Sequence, residues 1–353
     1  MTAELPKLDA SSSAKSVAVL GAGSWGTTFA KILADAATAS GVEREIRLWG
    51  RRAAVVDQIN NEHRNEQYLK GIALPASITA STDVAEVLQG ADLVVLAVPA
   101  QTLRLQLREW KDLIGPGALV VSLMKGLELH TDARMSEVIA EELAIPAERV
   151  AVVSGPNLAM EIAREEPTAS VVACTDDAAA GWMARSCTAP YFRPYTTSDV
   201  VGVEIGGIVK NIIALAVGIC EGKQMGDNTK ASVITRGLAE TSRLTLALGG
   251  EARTMAGLAG LGDLVATCSS ALSRNHTAGR LLGTGLSLEQ VAAEMTQTAE
   301  GIKSAQAVHE LAGKLGVEMP ITAAVVAVLA GKLSVDELGP LLLSRDLKPE
   351  GDY

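Results

Sequence analysis

A chain of 353 residues has enough material for two domains with separate hydrophobic cores. Its composition, 48% hydrophobic, 20% charged and 3% aromatic, is that of a helix-rich globular protein, and a net charge of −10 argues against nucleic-acid partners. Cys174, Cys187, Cys220 and Cys268 show no CxxC spacing and the four histidines are scattered, so neither a disulfide framework nor a metal site is expected.

Residues 1–15 are polar and serine-rich without an apolar h-region, and read as a disordered leader of a cytoplasmic protein. From Ser16 the chain runs SVAVLGAGSWGTTFAKILAD. A short apolar strand meets Gly21, Gly23 and Gly26, and an amphipathic helix follows at once. In that context a GxGxxG pattern gives a tight turn, close backbone approach to a pyrophosphate and a helix N-terminus to receive it, so a dinucleotide site is expected.

The second strand, 45–49, ends in Gly50, Arg51 and Arg52. Arginine there suits a ribose 2′-phosphate and favours NADP over NAD; the alternative is a pair of solvated residues opening the next helix. The alternation continues with a strand at 91–99, a helix at 101–113 and a strand at 118–123 that runs into Lys125. Near-continuous Val and Leu marks parallel strands covered on both faces, whose ligands lie beyond the carboxyl ends. Lys125 stands at such an end, as a ligand-facing cation or as an exposed loop residue. A strand at 149–154 leads into Gly155, Pro156, Asn157 and Ala159, a second candidate cradle. Residues 169–174 read as the last strand of that core, and 191–195 as an edge strand, because Pro190 and Pro194 exclude a central one.

After residue 197 the strand signals stop. The expected architecture is therefore α/β: a Rossmann-type, mostly parallel sheet domain over 16–197, followed by an all-α domain over 198–353. The second domain opens with DVVGVEIGGIVKNIIALAVGIC at 199–220, a proline-free apolar run with Asp199 available as an N-cap. Its uninterrupted apolar part, after Asn211, is about half of the ~20 residues that a bilayer demands, so stable membrane insertion is not expected. Lys210 in this helix should lie over Gly206 and Gly207. Those glycines either keep space for something the amine touches, or serve helix packing while the lysine snorkels outward. Further helices are expected at 228–248, 256–267, 276–283, 287–294, 301–315, 321–331 and 334–344. In AGLGDLVATCSS, Asp263 is a helix cap or a loop acid. In ALSRNHTAGRLL, Ser273 can cap while Arg274 grips an oxyanion, a pattern that suits phosphate and that ordinary capping would also produce.

GAGSWGTTFA, LWGRR, NEQYLKGIALP, LVVLAVPAQ, SLMKGLE, SGPNLAMEI, VEIGGIVKNIIALAVGI, GLGDLVATC, SRNHTAGR, AEGIKSA and GVEMPI occur in this order. Together, over about residues 16–345, they resemble the bacterial type of NAD(P)-dependent glycerol-3-phosphate dehydrogenase, most specifically through VEIGGIVKN, GLGDL and SRN. The resemblance implies interconversion of dihydroxyacetone phosphate and sn-glycerol 3-phosphate for phospholipid synthesis, with Lys210 as proton donor and acceptor. It places Lys125, Gly155, Asn157, Asp263, Ser273, Arg274 and Asn275 around the substrate. It places Ser24, Trp25, Arg51, Arg52, Lys125, Ala159, Arg274, Thr298 and Glu300 at the cofactor, and it implies a homodimer. The chain departs from the family pattern at Asn157, where Ser or Thr is frequent, at Lys70, and at the Thr298-Ala299 pair.

The residue chemistry agrees. Ketone reduction needs a hydride at carbon and a proton at oxygen, and a buried lysine beside another cation has its ammonium pKa lowered toward working pH. Lys125 would be that cation, Asp263 would orient the lysine or a hydroxyl, and Arg274 would anchor a phosphate remote from the reacting bond. The competing expectations are an NADP-dependent hydroxy acid dehydrogenase, whose cations would grip a carboxylate, and a cofactor-sensing regulator without turnover.

Overall fold

The structure, a computed structural model, describes residues 12–295 and 299–338. Thr298 and most of the helix expected at 334–344 lie outside these residues, as do positions 1–11 of the expected leader.

The chain forms two compact units, Met1–Met124 with Ala133–Val200, and Lys125–Asp132 with Val201–Tyr353. A single boundary near residue 197 therefore misplaces Lys125–Asp132. This segment joins the second unit because Leu127 is fully buried in that unit's core and Asp132 pairs with Lys314.

The first unit holds an eight-stranded sheet. In chain order the strands are β1 (Ser16–Leu20), β2 (Glu45–Trp49), β3 (Ile78–Ser81), β4 (Leu93–Leu96), β5 (Leu119–Ser122), β6 (Val150–Ser154), β7 (Thr168–Ala173) and β8 (Phe192–Thr197), arranged β3-β2-β1-β4-β5-β6-β7-β8. All neighbours are parallel except β6 and β7, and β8 lies at the edge, where its proline needs no ladder bond on the open side. The short β3, with Thr79 and Ser81 in ITAS, carries too little apolar signal to stand out in the sequence.

Successive strand residues face opposite sides, and both sides are covered. Leu48, Val19, Val95 and Val121 are in register across β2, β1, β4 and β5 and pack with Phe29, Ile32 and Leu33 of the helix Ser24–Ser40. Ala18, Leu20, Val94, Leu96 and Val120 face the other way, onto the helices Leu103–Trp110 and Met135–Leu143. Burying a side chain such as Phe29 or Leu33 in this way stabilises by about 1.5–3 kcal/mol.

The second unit is helical and built around Val200–Gly222. By length and composition this helix could cross a membrane, but 89% of its most apolar window is buried within the chain. Its apolar residues surround it on all sides because other helices do. The glycines that allow the closest approach are paired. A Cβ at Gly218 or Gly222 would lie 2.2 Å from a carbonyl oxygen of Arg274–Gly283, and one at Gly279 would lie 2.1 Å from the Leu215 oxygen. Backbone packing too close to admit a Cβ on these glycines fixes Arg274–Gly283, and with it the Ser273-Arg274-Asn275 terminus, against the central helix.

Candidate active site

The first unit offers a dinucleotide cradle at the end of β1. Gly21 has φ +128°, and a Cβ on it would sit 2.4 Å from the Ala97 oxygen; one on Gly26 would sit 2.0 Å from the Gly21 oxygen. Gly23 caps Ser24–Ser40 and has open space where a Cβ would be. The loop is thus tight where it packs and open at the helix N-terminus, the geometry that accepts a pyrophosphate. Ser24 donates to the Tyr68 carbonyl at 3.1 Å, and the Trp25 ring packs edge-on to Phe29 with its Nε1 buried and unpartnered among the described residues. Arg51 and Arg52 are exposed at the start of the next helix; Arg52 donates to the Tyr68 hydroxyl and stacks over its ring.

Asn65, which motif reasoning passed over, braces this loop. It is fully buried and its Nδ2 donates to the Ala22 oxygen (3.1 Å) and to Thr27 Oγ1 (2.9 Å). Only its place in NEQYL, far from the glycines in sequence, hinted at a role. In the same unit Gly155 has φ +144° and closes onto Ser170. Asn157 follows with both side-chain polar atoms buried and unpartnered among the described residues, and Ala159 opens a short helix whose first carbonyl accepts from Thr28 Oγ1 at 3.2 Å. Two orphaned polar atoms on one amide would each cost about 1–3 kcal/mol if nothing ever met them.

The second unit gathers Lys210, Asp263 and Lys125. The Lys210 amine donates to Asp263 Oδ1 at 2.5 Å and to Thr267 Oγ1 at 2.6 Å, while Lys125 donates to Asp263 Oδ2 at 2.6 Å. Lys210 is 8% exposed and Asp263 1% exposed, so this ion cluster is largely out of water. Asp263 opens the helix Asp263–Ser269, where the N-terminal dipole favours a carboxylate, and Thr267 stands four residues on, over the same face. Thr267 was not singled out in the sequence, although its spacing from Asp263 carried the signal.

The reading of Gly206 as space left for the lysine's partner is corrected here. A Cβ at Gly206 would meet the Ala259 oxygen at 2.6 Å, so the glycine admits the π-helical turn Leu258–Gly262 that delivers Asp263. The helix expected at 256–267 is accordingly broken: Ala252–Met255, the π turn, then Asp263–Ser269. The amine points to the helix after that turn and does not snorkel.

Burial lowers the Lys210 ammonium to about 8; the Asp263 carboxylate opposes this and the Lys125 charge assists it. Ser273 caps Arg274–Gly283 through the His276 N–H at 3.2 Å. Asn275 Oδ1 accepts from the Gly301 N–H at 2.8 Å and so fixes the start of Glu300–Lys314. Burial raises the Glu300 carboxyl, against the pull of the Arg274 and Lys303 charges.

A sheet whose glycine turn fits a pyrophosphate, and a helical unit carrying a desolvated lysine poised near neutrality, define an NAD(P)-linked oxidoreductase. The sequence profile described as NAD-dependent glycerol-3-phosphate dehydrogenase N-terminus matches residues 16–180, and the C-terminus profile matches 199–339. A glycerol-3-phosphate dehydrogenase [NAD(P)+] from Thermobifida fusca is 58% identical over 95% of this chain and 98% of its own, and one from Streptomyces griseus is 57% identical over 94% and 97%. The crystal structure of a glycerol-3-phosphate dehydrogenase from Coxiella burnetii, 36% identical, superposes with a TM-score of 0.87 over 94% of this chain and 99% of that one. The chain belongs to the NAD-dependent glycerol-3-phosphate dehydrogenase family.

Proposed function

We propose that the protein interconverts dihydroxyacetone phosphate and sn-glycerol 3-phosphate with NADP as the preferred cofactor and NAD as the second, supplying the backbone of phospholipids. The observation that carries the assignment of roles is the buried Lys210–Asp263–Lys125 cluster. The cofactor supplies or accepts the hydride at the carbonyl carbon. Lys210 gives its proton to the carbonyl oxygen in reduction and takes it back in oxidation. With a pKa of about 8, it holds that proton at neutral pH and releases it easily.

Asp263 keeps the amine aimed and offsets the buried Lys210 and half-buried Lys125 cations, and Thr267 fixes the amine from a second direction. Lys125 lowers the proton affinity of Lys210 and steadies charge that develops on the oxygen. Arg274 and the capped helix start hold the phosphate, so binding energy from that remote group orients the carbonyl. In the first unit, Gly21, Gly23, Ser24, Trp25 and Gly26 would hold the pyrophosphate, Ala159 would add a cofactor contact, and Gly155 and Asn157 would serve the substrate; Glu300, of the second unit, would also meet the cofactor. Arg51 and Arg52 meet the 2′-phosphate. The four cysteines are free and buried, which suits work in a reducing cytoplasm. A homodimer is the expected assembly.

The test follows NADPH absorbance with dihydroxyacetone phosphate and, separately, with 2- and 3-keto acids. Turnover of the first and neglect of the others is expected; turnover of the keto acids alone would overturn the reading in favour of a hydroxy acid dehydrogenase. Lys210→Ala should abolish most turnover while leaving NADPH affinity nearly intact, and an active variant refutes the role.

A further inference from the structure

The motif AEGIKSA spans the start of Glu300–Lys314, and its glycine has no room for a side chain. A Cβ on Gly301 would lie 2.6 Å from the Asn211 carbonyl oxygen and 2.9 Å from Asn275 Oδ1. Asn211 follows Lys210 in the central helix Val200–Gly222, and Asn275 is the second residue of Arg274–Gly283; both are buried. The first turn of Glu300–Lys314 therefore meets both helices at one glycine. The Gly301 N–H donates to Asn275 Oδ1 at 2.8 Å.

That bond can be made in one sense only. A backbone N–H has a proton to give and nothing to accept with, so the amide must turn Oδ1 toward it; the reverse orientation sets donor against donor. Nδ2, on the other arm of the planar amide, keeps its two hydrogens for an acceptor elsewhere. Asn275 stands one residue after Arg274, at the capped helix start that holds the phosphate in the function proposed above. An amide that faced a phosphate through its oxygen would repel it, whereas one that faces it through Nδ2 donates a charge-assisted hydrogen bond.

We propose that Gly301 is a positioning residue for the substrate's phosphate: its N–H holds the Asn275 amide with Nδ2 toward the phosphate, and its missing side chain is what lets that N–H reach. This rests on the reading of the protein as an enzyme that binds dihydroxyacetone phosphate at the start of Arg274–Gly283. The demand for glycine is steric. A Cβ and a carbonyl oxygen cannot stand 2.6 Å apart, and the Asn211 oxygen belongs to the backbone of a helix packed on all sides, so it cannot swing away as a side chain would. A methyl group at position 301 therefore drives the first turn of Glu300–Lys314 off Asn211 and Asn275 together. The hydrogen bond to Oδ1 lengthens with that shift, and the amide is released to turn.

The test measures kcat and KM for dihydroxyacetone phosphate, and competitive inhibition by inorganic phosphate, in the full-length enzyme, Asn275→Asp, Asn275→Ala, Gly301→Ala and the double variant Gly301→Ala with Asn275→Ala. Asn275→Asp still offers the Gly301 N–H an oxygen, so it is expected to fold even if Gly301→Ala does not, but it has no donor for a phosphate. The KM and the phosphate inhibition constant should both rise roughly 10- to 100-fold in Asn275→Asp and Asn275→Ala, the worth of a hydrogen bond to a charged group, and roughly 10-fold in Gly301→Ala. In the Asn275→Ala background Gly301→Ala should add about twofold or less, because the amide it acts through is gone. A wild-type KM in Asn275→Asp, or a Gly301→Ala effect of equal size in both backgrounds, overturns the inference and leaves the proposed reaction standing. A wild-type enzyme that does not turn over dihydroxyacetone phosphate removes the proposed reaction itself, and the role of Gly301 with it.

Discussion

The Lys210 ammonium is held in a place that does not favour it, and replacing it with Lys210→Met makes that cost measurable. In an unfolded chain a lysine titrates near 10.5, and in the folded protein Lys210 titrates at about 8. Between those values the unfolded chain binds the proton and the folded protein does not, so wild-type stability rises with pH through this window. At about 1.4 kcal/mol per pH unit, raising the pH from 8 to 9.5 adds about 2 kcal/mol to the wild type, and the Met variant lacks this gain. In the variant Asp263 keeps Lys125 and Thr267 as partners, since Thr267 Oγ1 lies 3.2 Å from its Oδ1, so no uncompensated charge is created. Urea unfolding followed by far-ultraviolet ellipticity, at pH 7 and at pH 9.5, gives the stability difference between the two proteins at each pH. The wild type should gain about 2 kcal/mol on the variant between the two conditions. A difference that stays constant, or moves in the opposite sense, refutes the claim that burial outweighs Asp263 at this amine.

Gly206→Ala pushes a methyl group into the Ala259 carbonyl, 2.6 Å away in the present backbone, and displaces the turn that leads to Asp263. A loss of about 1–3 kcal/mol in stability is expected, with a larger fall in kcat than the stability change explains; a variant with normal kcat would separate that turn from catalysis. Arg52→Gln should weaken NADPH binding by roughly 10- to 100-fold, the worth of a charge-assisted hydrogen bond, and leave NADH nearly unchanged in fluorescence titrations. Equal effects on the two cofactors would remove Arg52 from the 2′-phosphate.

The sequence by itself determined the alternating strands and helices, the tight turn at Gly21–Gly26 and, among the described residues, the change from strands to helices after residue 197. These are local matters: backbone sterics at a glycine, a period of two or of 3.6, a proline that cannot pair. It also singled out Lys210 and Asp263, because a lysine in an apolar helix and an acid after a glycine pair are anomalies that can be seen without a fold. What Lys210 touches was decided only by tertiary structure. Gly206 looked like room for a ligand and is instead the contact that brings in the π turn, since a glycine's purpose depends on which backbone lies against it. Thr267 and Asn65 went unmarked for the same reason: a hydroxyl or an amide acquires its role from the amine or carbonyl that folding puts 3 Å away. The assignment of Lys125–Asp132 to the second unit was equally beyond the sequence. It depends on Leu127 and Asp132 finding partners across long stretches of chain, and no local pattern records where those partners will be.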